Sequence, residues 1–211
     1  MRRFALLVAI VALAPLVLRY PELETQILTF GLLAVAFNLL LGEMGFLSFG
    51  QATFNGVGAY AAARVLIDAH AALPLALLVA IAAGAVTAAI IGALAITGRG
   101  VYGVMLTFAF NEMAYYAAFQ WRAVTGGDNG LGGVPRPGVL GIGLDDPTRY
   151  YYFTALVVLL AFAAVLRINV SPFGAVLRAI RENEDRARAI GYRVRRFKIA
   201  AFAISGALSG L

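Results

Sequence analysis

Long apolar runs recur along this chain, broken by short polar or glycine-rich links. Each run is long enough, or nearly so, to cross a bilayer as a helix. The pattern predicts seven membrane spans, at residues 4–20, 25–41, 52–67, 73–96, 101–121, 150–168 and 197–211. The second and third are short for an upright crossing of about 20 residues. Their link, Gly42–Gln51 (GEMGFLSFGQ), is too apolar for a solvated loop. It reads as irregular backbone at membrane depth, tolerable where protein or a water-filled cavity covers it.

A different pattern follows Ser171. Ser171 can cap a helix whose first turn holds Pro172, and Phe173, Val176, Leu177, Ile180, Ala187 and Ile190 then recur at helical spacing. Glu182/Arg186 and Glu184/Arg188 form i,i+4 pairs on the other side, and Gly191 stands where a helix would stop. The expectation is one amphipathic helix over 172–190, structured and outside the bilayer, with the character of a docking element.

Composition sharpens this picture. Of the 211 residues, 62% are hydrophobic and 13% charged, which sets the chain apart from soluble domains. The net charge of +6 could suggest nucleic acid. However, nine of the 17 Lys+Arg lie in Arg167–Lys198, beside spans, where the positive-inside effect accounts for them. With no cysteine and one histidine, disulfides and Cys-ligated metals are excluded and a His-based metal site is not expected. No cofactor is expected. Arg2-Arg3 ahead of an apolar run resembles a signal peptide. Pro15 follows the small pair Ala12 and Ala14 directly and is a poor cleavage context, so an uncleaved first span is the favoured reading.

Charge also gives an orientation. Arg2-Arg3, Arg99 and Arg167–Lys198 are expected inside, and Arg19–Glu24, Asp68–Leu73 and Arg122–Arg149 outside, so the N-terminus is cytoplasmic. Gly84, Ala88 and Gly92 form a small-xxx-small ridge, and Gly206/Gly210 form a GxxxG pair, both suited to close helix packing. The apolar run is still open at Leu211, which gives the last span about 15 residues, or roughly 22 Å. The sequence therefore reads as a single transmembrane domain, 1–211, incomplete at its C-terminus, with the cytoplasmic helix 171–191 inside it.

Polar groups inside spans are costly and are candidates for function. They are Asn38, Glu43 and Gln51 around the broken link, Asn55 in the third span, and Asn111-Glu112 in the middle of the fifth. Each can equally be a hydrogen bond that ties helices together. Glu112 must pair, face a polar cavity or be neutral. The outer loop holds VTGGDNGLGGVPRPG, in which Gly127, Asp128 and Asn129 are dense turn chemistry. This stretch is either a plain exposed turn or a contact for an extracellular partner at a pathway mouth. Without a GK[ST] ending it is no nucleotide loop. His70 beside Asp68 reads as an interfacial pair. No hydrolytic triad, HExxH or Walker motif is present, so movement of a solute is the function that remains.

Four segments carry a resemblance: Asn38–Ala63, Arg99–Tyr116, Thr125–Pro137 and Ser171–Leu211. In this order they resemble permease subunits of branched-chain amino-acid ABC importers, in particular those with the TGG-x-NGL loop. The resemblance implies a second related permease, two cytoplasmic ATPase subunits, an extracytoplasmic solute-binding protein, a setting in the lipid of the cell inner membrane, and further spans beyond Leu211. Such permeases dock on the ATPase through a loop resembling E-A-A-x-x-x-G. Asp185-x-Ala187-x-x-x-Gly191 fits that spacing, with Asp for Glu, Arg186 for the middle Ala, and no closing proline. The resemblance thus places ATPase docking at Arg178, Arg181, Glu184, Asp185, Ala187 and Gly191, makes the polar in-span residues Asn38, Gln51, Asn55, Asn111 and Glu112 candidates for the pathway, and makes Gly127, Asp128 and Asn129 candidates for binding-protein contact. The chain itself is then not an enzyme. Alternatives are a related urea or short-amide importer, an ion-coupled secondary transporter using Glu112, and a membrane protein with a purely structural role.

Overall fold

The computed structural model describes residues 8–15, 20–98, 100–135, 137–138 and 143–211. It is an all-α bundle. The ends of the expected first span, the Arg2-Arg3 pair, Arg19 and Arg99 lie outside the described residues. Residues 8–15 are helical, and we call them α1.

α2 (Pro21–Asn38) opens with Pro21 in its first turn and Glu22 and Glu24 beside it, residue types that suit a helix N-terminus. The second span, expected from residue 25, is already helical from Pro21, and Glu24 is buried. The helix passes into a π-turn, Leu39–Glu43, and then into non-helical backbone up to Gly50. Gly42 sits under the Asn38 side chain, where a Cβ would lie 2.5 Å from Asn38 Oδ1. The link is irregular, as its composition suggested, and Met44 and Ser48 within it are buried.

α3 (Gln51–Asp68), α4 (Leu73–Ala95) and α10 (Val194–Gly210) form the centre. The two glycine motifs meet each other there. A Cβ on Gly206 would strike Ala88 Cβ and the Gly84 carbonyl, one on Gly92 would strike the Phe202 ring, and one on Gly58 would lie 2.5 Å from Gly210 Cα. Backbones therefore approach as closely as side-chain-free surfaces allow. Ala88, Ile91, Phe202, Leu39, Leu40 and Leu177 fill the core around this contact.

α5 (Val101–Gln120) lies against α3 and α4, followed by a short helix α6 (Arg122–Thr125) and a single 3-10 turn, Gly127–Asn129. α7 (Pro147–Asn169) is capped by Asp146, whose carboxylate accepts from Thr148 N–H at 3.3 Å, and packs on α2. Three helices are long and apolar enough to cross a membrane among the described residues: Pro21–Glu43, Leu73–Ala95 and Pro147–Asn169.

The basic segment is two helices, not the single one expected. α8 (Pro172–Glu182) ends at Asn183, which adopts an extended conformation and caps α9 (Glu184–Ala189) by accepting from Arg186 N–H at 2.8 Å. Asn is a strong N-cap, and two acidic residues follow it, so a new helix start prevails over continuation. The break separates Glu182 from Arg186, which make no ion pair, whereas Glu184–Arg188 forms at 2.9 Å. Ile190, expected on the apolar stripe, is exposed. Ser171 does cap α8, accepting from Gly174 N–H at 3.4 Å, and Gly191 ends α9 at φ +96°.

Candidate functional site

Two regions gather the candidate residues, at opposite ends of the bundle. At one end the turn after α6 covers a cavity of about 400 Å³ between α3 and α5. Thr53, Gly56, Val57 and Tyr60 line it from α3, Asn111, Ala114, Tyr115 and Ala118 from α5, and Gly127 and Asp128 from the turn. Thr53 donates to Asn111 Oδ1 at 2.9 Å, which leaves the Asn111 amide hydrogens available to the cavity. The walls are mainly small or apolar, with hydroxyls from Tyr60 and Tyr115 and one carboxylate, Asp128, near the mouth. A small solute with an aliphatic body and a cationic end matches such a lining.

The turn is held by specific bonds. Gly126 (φ +78°), Gly127 (φ +64°) and Gly130 (φ +66°) take up left-handed or related conformations that favour glycine. Gly127 also lies close to Arg122, where a Cβ would come within 2.7 Å of Arg122 Cγ. Thr125 Oγ1 accepts from Gly127 N–H at 3.1 Å and donates to the Trp121 carbonyl at 2.9 Å. Asp128 and Asn129 are exposed. Arg64 of α3 donates through Nε to Val124 O at 2.7 Å and through Nη2 to Ala123 O, and pairs with Asp68 at 3.5 Å. Asp68 thus faces Arg64 rather than His70, and His70 itself has a positive φ of 46°. Arg64 was missed in the sequence, although a charge inside the apolar run 52–67 was itself a signal.

The other candidate polar residues separate. Gln51 is buried and joins α3 to α10: its Nε2 donates to Ser205 Oγ at 3.0 Å, and its Oε1 accepts from Ser209 Oγ at 2.6 Å. Ser205 in turn donates to Ala36 O at 2.7 Å. Asn55 donates to Ser209 O at 2.9 Å. It borders a smaller cavity of about 130 Å³ among α2, α4, α7 and α10. Asn38 is exposed over Gly42. Glu112 is half-buried, makes no hydrogen bond or ion pair among the described residues, and is not among the cavity-lining residues. Glu24, which the sequence reading did not single out, is buried with both carboxylate oxygens unpartnered among the described residues. Its place after Pro21 in a first helical turn was the available clue.

At the opposite end lies the α8–α9 knob. Val176, Ile180, Ala187 and Val194 form a small core of their own, with Phe197 against it. Arg178 Nη1 donates to Glu43 Oε2 and to the Asn169 carbonyl, both at 2.8 Å, and Arg181 donates to the Gly42 carbonyl. Glu184 accepts from Arg188 at 2.9 Å and from Lys198 at 2.6 Å. So Arg178, Arg181, Glu184 and Ala187 are engaged within the chain. Asp185, Arg186, Ile190, Gly191, Tyr192 and Arg193 form its exposed tip. Among the described residues no group of three or more His, Cys, Asp or Glu side chains could hold a metal ion.

A family model described as branched-chain amino acid transport system / permease component matches residues 22–211. The chain belongs to this family. It is 30% identical over 216 residues to the high-affinity branched-chain amino acid transport system permease protein LivM of Escherichia coli. It is 29% identical over the same length to the protein of that name from Salmonella typhimurium. Each alignment covers 90% of this chain and 50% of the relative. A probable branched-chain amino acid transport permease protein LivM from Methanocaldococcus jannaschii is 33% identical over 85 residues, covering 39% of this chain and 24% of its own. The chain thus spans about half the length of the first two curated relatives. No solved structure matches it significantly. Family membership and the apolar helices make this a multi-pass membrane protein.

Proposed function

We propose that this chain forms part of a permease subunit of an ATP-driven importer of branched-chain amino acids. The observation that carries the reading is the α8–α9 knob, in a chain that belongs to the permease family. A loop retained on one side of a membrane needs only positive charge. This one has a capped helix at each step, a private apolar core and a glycine stop, all suited to a rigid docking body.

On this reading the tip Asp185–Arg193 meets an ATPase subunit in the cytoplasm, and Arg178, Arg181, Glu184 and Ala187 build and hold the knob. The turn 126–130 then faces outward. There Gly127, Asp128 and Asn129 receive a solute-binding protein over the mouth of the α3–α5 cavity. A second related permease supplies the other half of the pathway, and a pair of ATPases drives it. The chain hydrolyses nothing itself: ATP binding biases the closed ATPase pair, and the docked knob moves with it. The setting is the inner membrane with the N-terminus cytoplasmic. Ion-coupled transport through Glu112 is less favoured, since among the described residues that carboxylate has no partner that would shape an ion site, and the knob has no role in such a scheme.

The test is co-purification of ATPase subunits with the full-length permease. Ala187→Glu places a charge in the knob's core, and Gly191→Val forces a branched side chain to φ +96°. Both variants should insert normally and lose the ATPase. Arg193→Lys should retain it. Retention by both disruptive variants would leave the segment with a topological role alone.

A further inference from the structure

We propose that the Glu43–Arg178 ion pair is a clamp that makes the α8–α9 knob and the broken segment 39–50 move as one body, so that displacement of the knob reaches the cavity between α3 and α5. This rests on the docking reading above.

The clamp joins α8 to two helix ends through one guanidinium. Arg178 Nη1 bridges the Glu43 carboxylate, at the end of the π-turn, and the Asn169 carbonyl, at the end of α7. The Asn169 carbonyl is of the kind that a helix end leaves without an internal partner, whereas Glu43 accepts through its side chain. Arg181, one turn further along α8, takes the Gly42 carbonyl. Gly45 (φ +74°) completes the seat. A side chain there would collide with Arg181, whose Cγ lies 2.5 Å from the position of an added Cβ. The broken segment is thus shaped to receive two arginine stems from the knob. Glu43 is only 17% exposed, so its ion pair is better shielded than a surface pair.

From this seat a short run of backbone leads to the cavity. Phe49 N–H donates to Thr107 Oγ1 of α5 at 3.0 Å. Gln51 ties the start of α3 to α10, and Thr53, two residues on, bonds Asn111 on the cavity wall. Knob, π-turn, link and cavity wall are therefore joined by hydrogen bonds or by adjacent backbone throughout. If Arg178 served only as topogenic charge, it would need no carboxylate partner. Nor would the link need a glycine under Arg181.

The test uses the full-length permease in its complete transporter, reconstituted in liposomes, reading leucine uptake per ATP hydrolysed. Glu43→Gln should leave ATPase co-purification and ATP turnover within about twofold of the parent and lower uptake per ATP at least tenfold. The single reversals Glu43→Arg and Arg178→Glu should behave similarly or worse. The double reversal should recover at least tenfold over either one. A double reversal no better than the singles overturns the clamp, as does normal coupling in Glu43→Gln. A second measurement needs no ATPase. Spin labels on Leu41→Cys and Glu182→Cys, in a chain without native cysteine, report the distance between the π-turn and the end of α8. The distribution should be narrow in the parent and broaden in Glu43→Gln, and an unchanged distribution overturns the proposal. If ATPase subunits fail to co-purify even with the parent, the docking reading falls, while the label distances still judge the clamp.

Discussion

At the scale of single residues, burial and partners divide polar groups that look alike in sequence. Gln51 and Asn111 both stand out as amides in apolar surroundings. Gln51 has both ends of its amide bonded to serines of α10, whereas Asn111 keeps its donor side toward a cavity. Gln51→Leu should therefore lower stability by about 1–2 kcal/mol, the usual range for an interhelical bond lost from a largely apolar bundle. The check is the thermal midpoint in detergent by fluorescence-detected size exclusion, where an unshifted midpoint would refute the bonded geometry. Asn111→Ala should be milder in that assay, since only the bond from Thr53 is lost. The sequence made these positions visible because amides and carboxylates are rare in apolar runs. It left their partners hidden, because Ser205 and Ser209 lie more than 150 residues away along the chain. Arg64 and Glu24 escaped for another reason: each lies near a span end, where a charge reads as a boundary marker, yet Arg64 is half-buried and holds the turn after α6 while Glu24 is buried.

Helices repeat the lesson with different physics. Caps and stops were readable wherever one residue type does the work, as with Ser171 before α8 and Gly191 after α9. The break at Asn183 was not read, although Asn183-Glu184-Asp185 carries the signature of a helix start. Apolar periodicity continued across it and outweighed the cap. Asn183→Ala should cost α9 about 1 kcal/mol and speed amide exchange over 184–189, while Asn183→Asp should preserve protection. Equal exchange in all three proteins would mean that packing of Ala187 alone holds α9. The π-turn at Leu39–Glu43 is the opposite case. The sequence showed that regular structure fails near Gly42. Its form depends on a contact between Asn38 and Gly42 and on arginines from far along the chain, which no local pattern encodes.

For the molecule as a whole, the knob and the turn 126–130 lie at opposite ends of the bundle, and this turns orientation into a single measurable question. In full-length protein carrying Asn129→Cys or Arg186→Cys, an impermeant maleimide added to intact cells should label residue 129 and spare 186. The reverse pattern would invert the assigned topology. The all-helical, multi-pass character of the bundle was legible from hydropathy, although only three of the seven expected spans are helices long and apolar enough to cross a membrane among the described residues. Which helices sit at the centre was only hinted at by the two glycine motifs, because neither says that its partner is the other. Their meeting also decides what the bundle cannot do. A slide of α10 along α4 by a single residue's rise, about 1.5 Å, would carry Ala88 and Phe202 out of register with the hollows at Gly206 and Gly92. Contacts of that kind have no intermediate stops, so α4 and α10 behave as one machined part. Relative movement falls to seams where ordinary side chains meet, and the α3–α5 seam, already parted by a cavity, is such a seam.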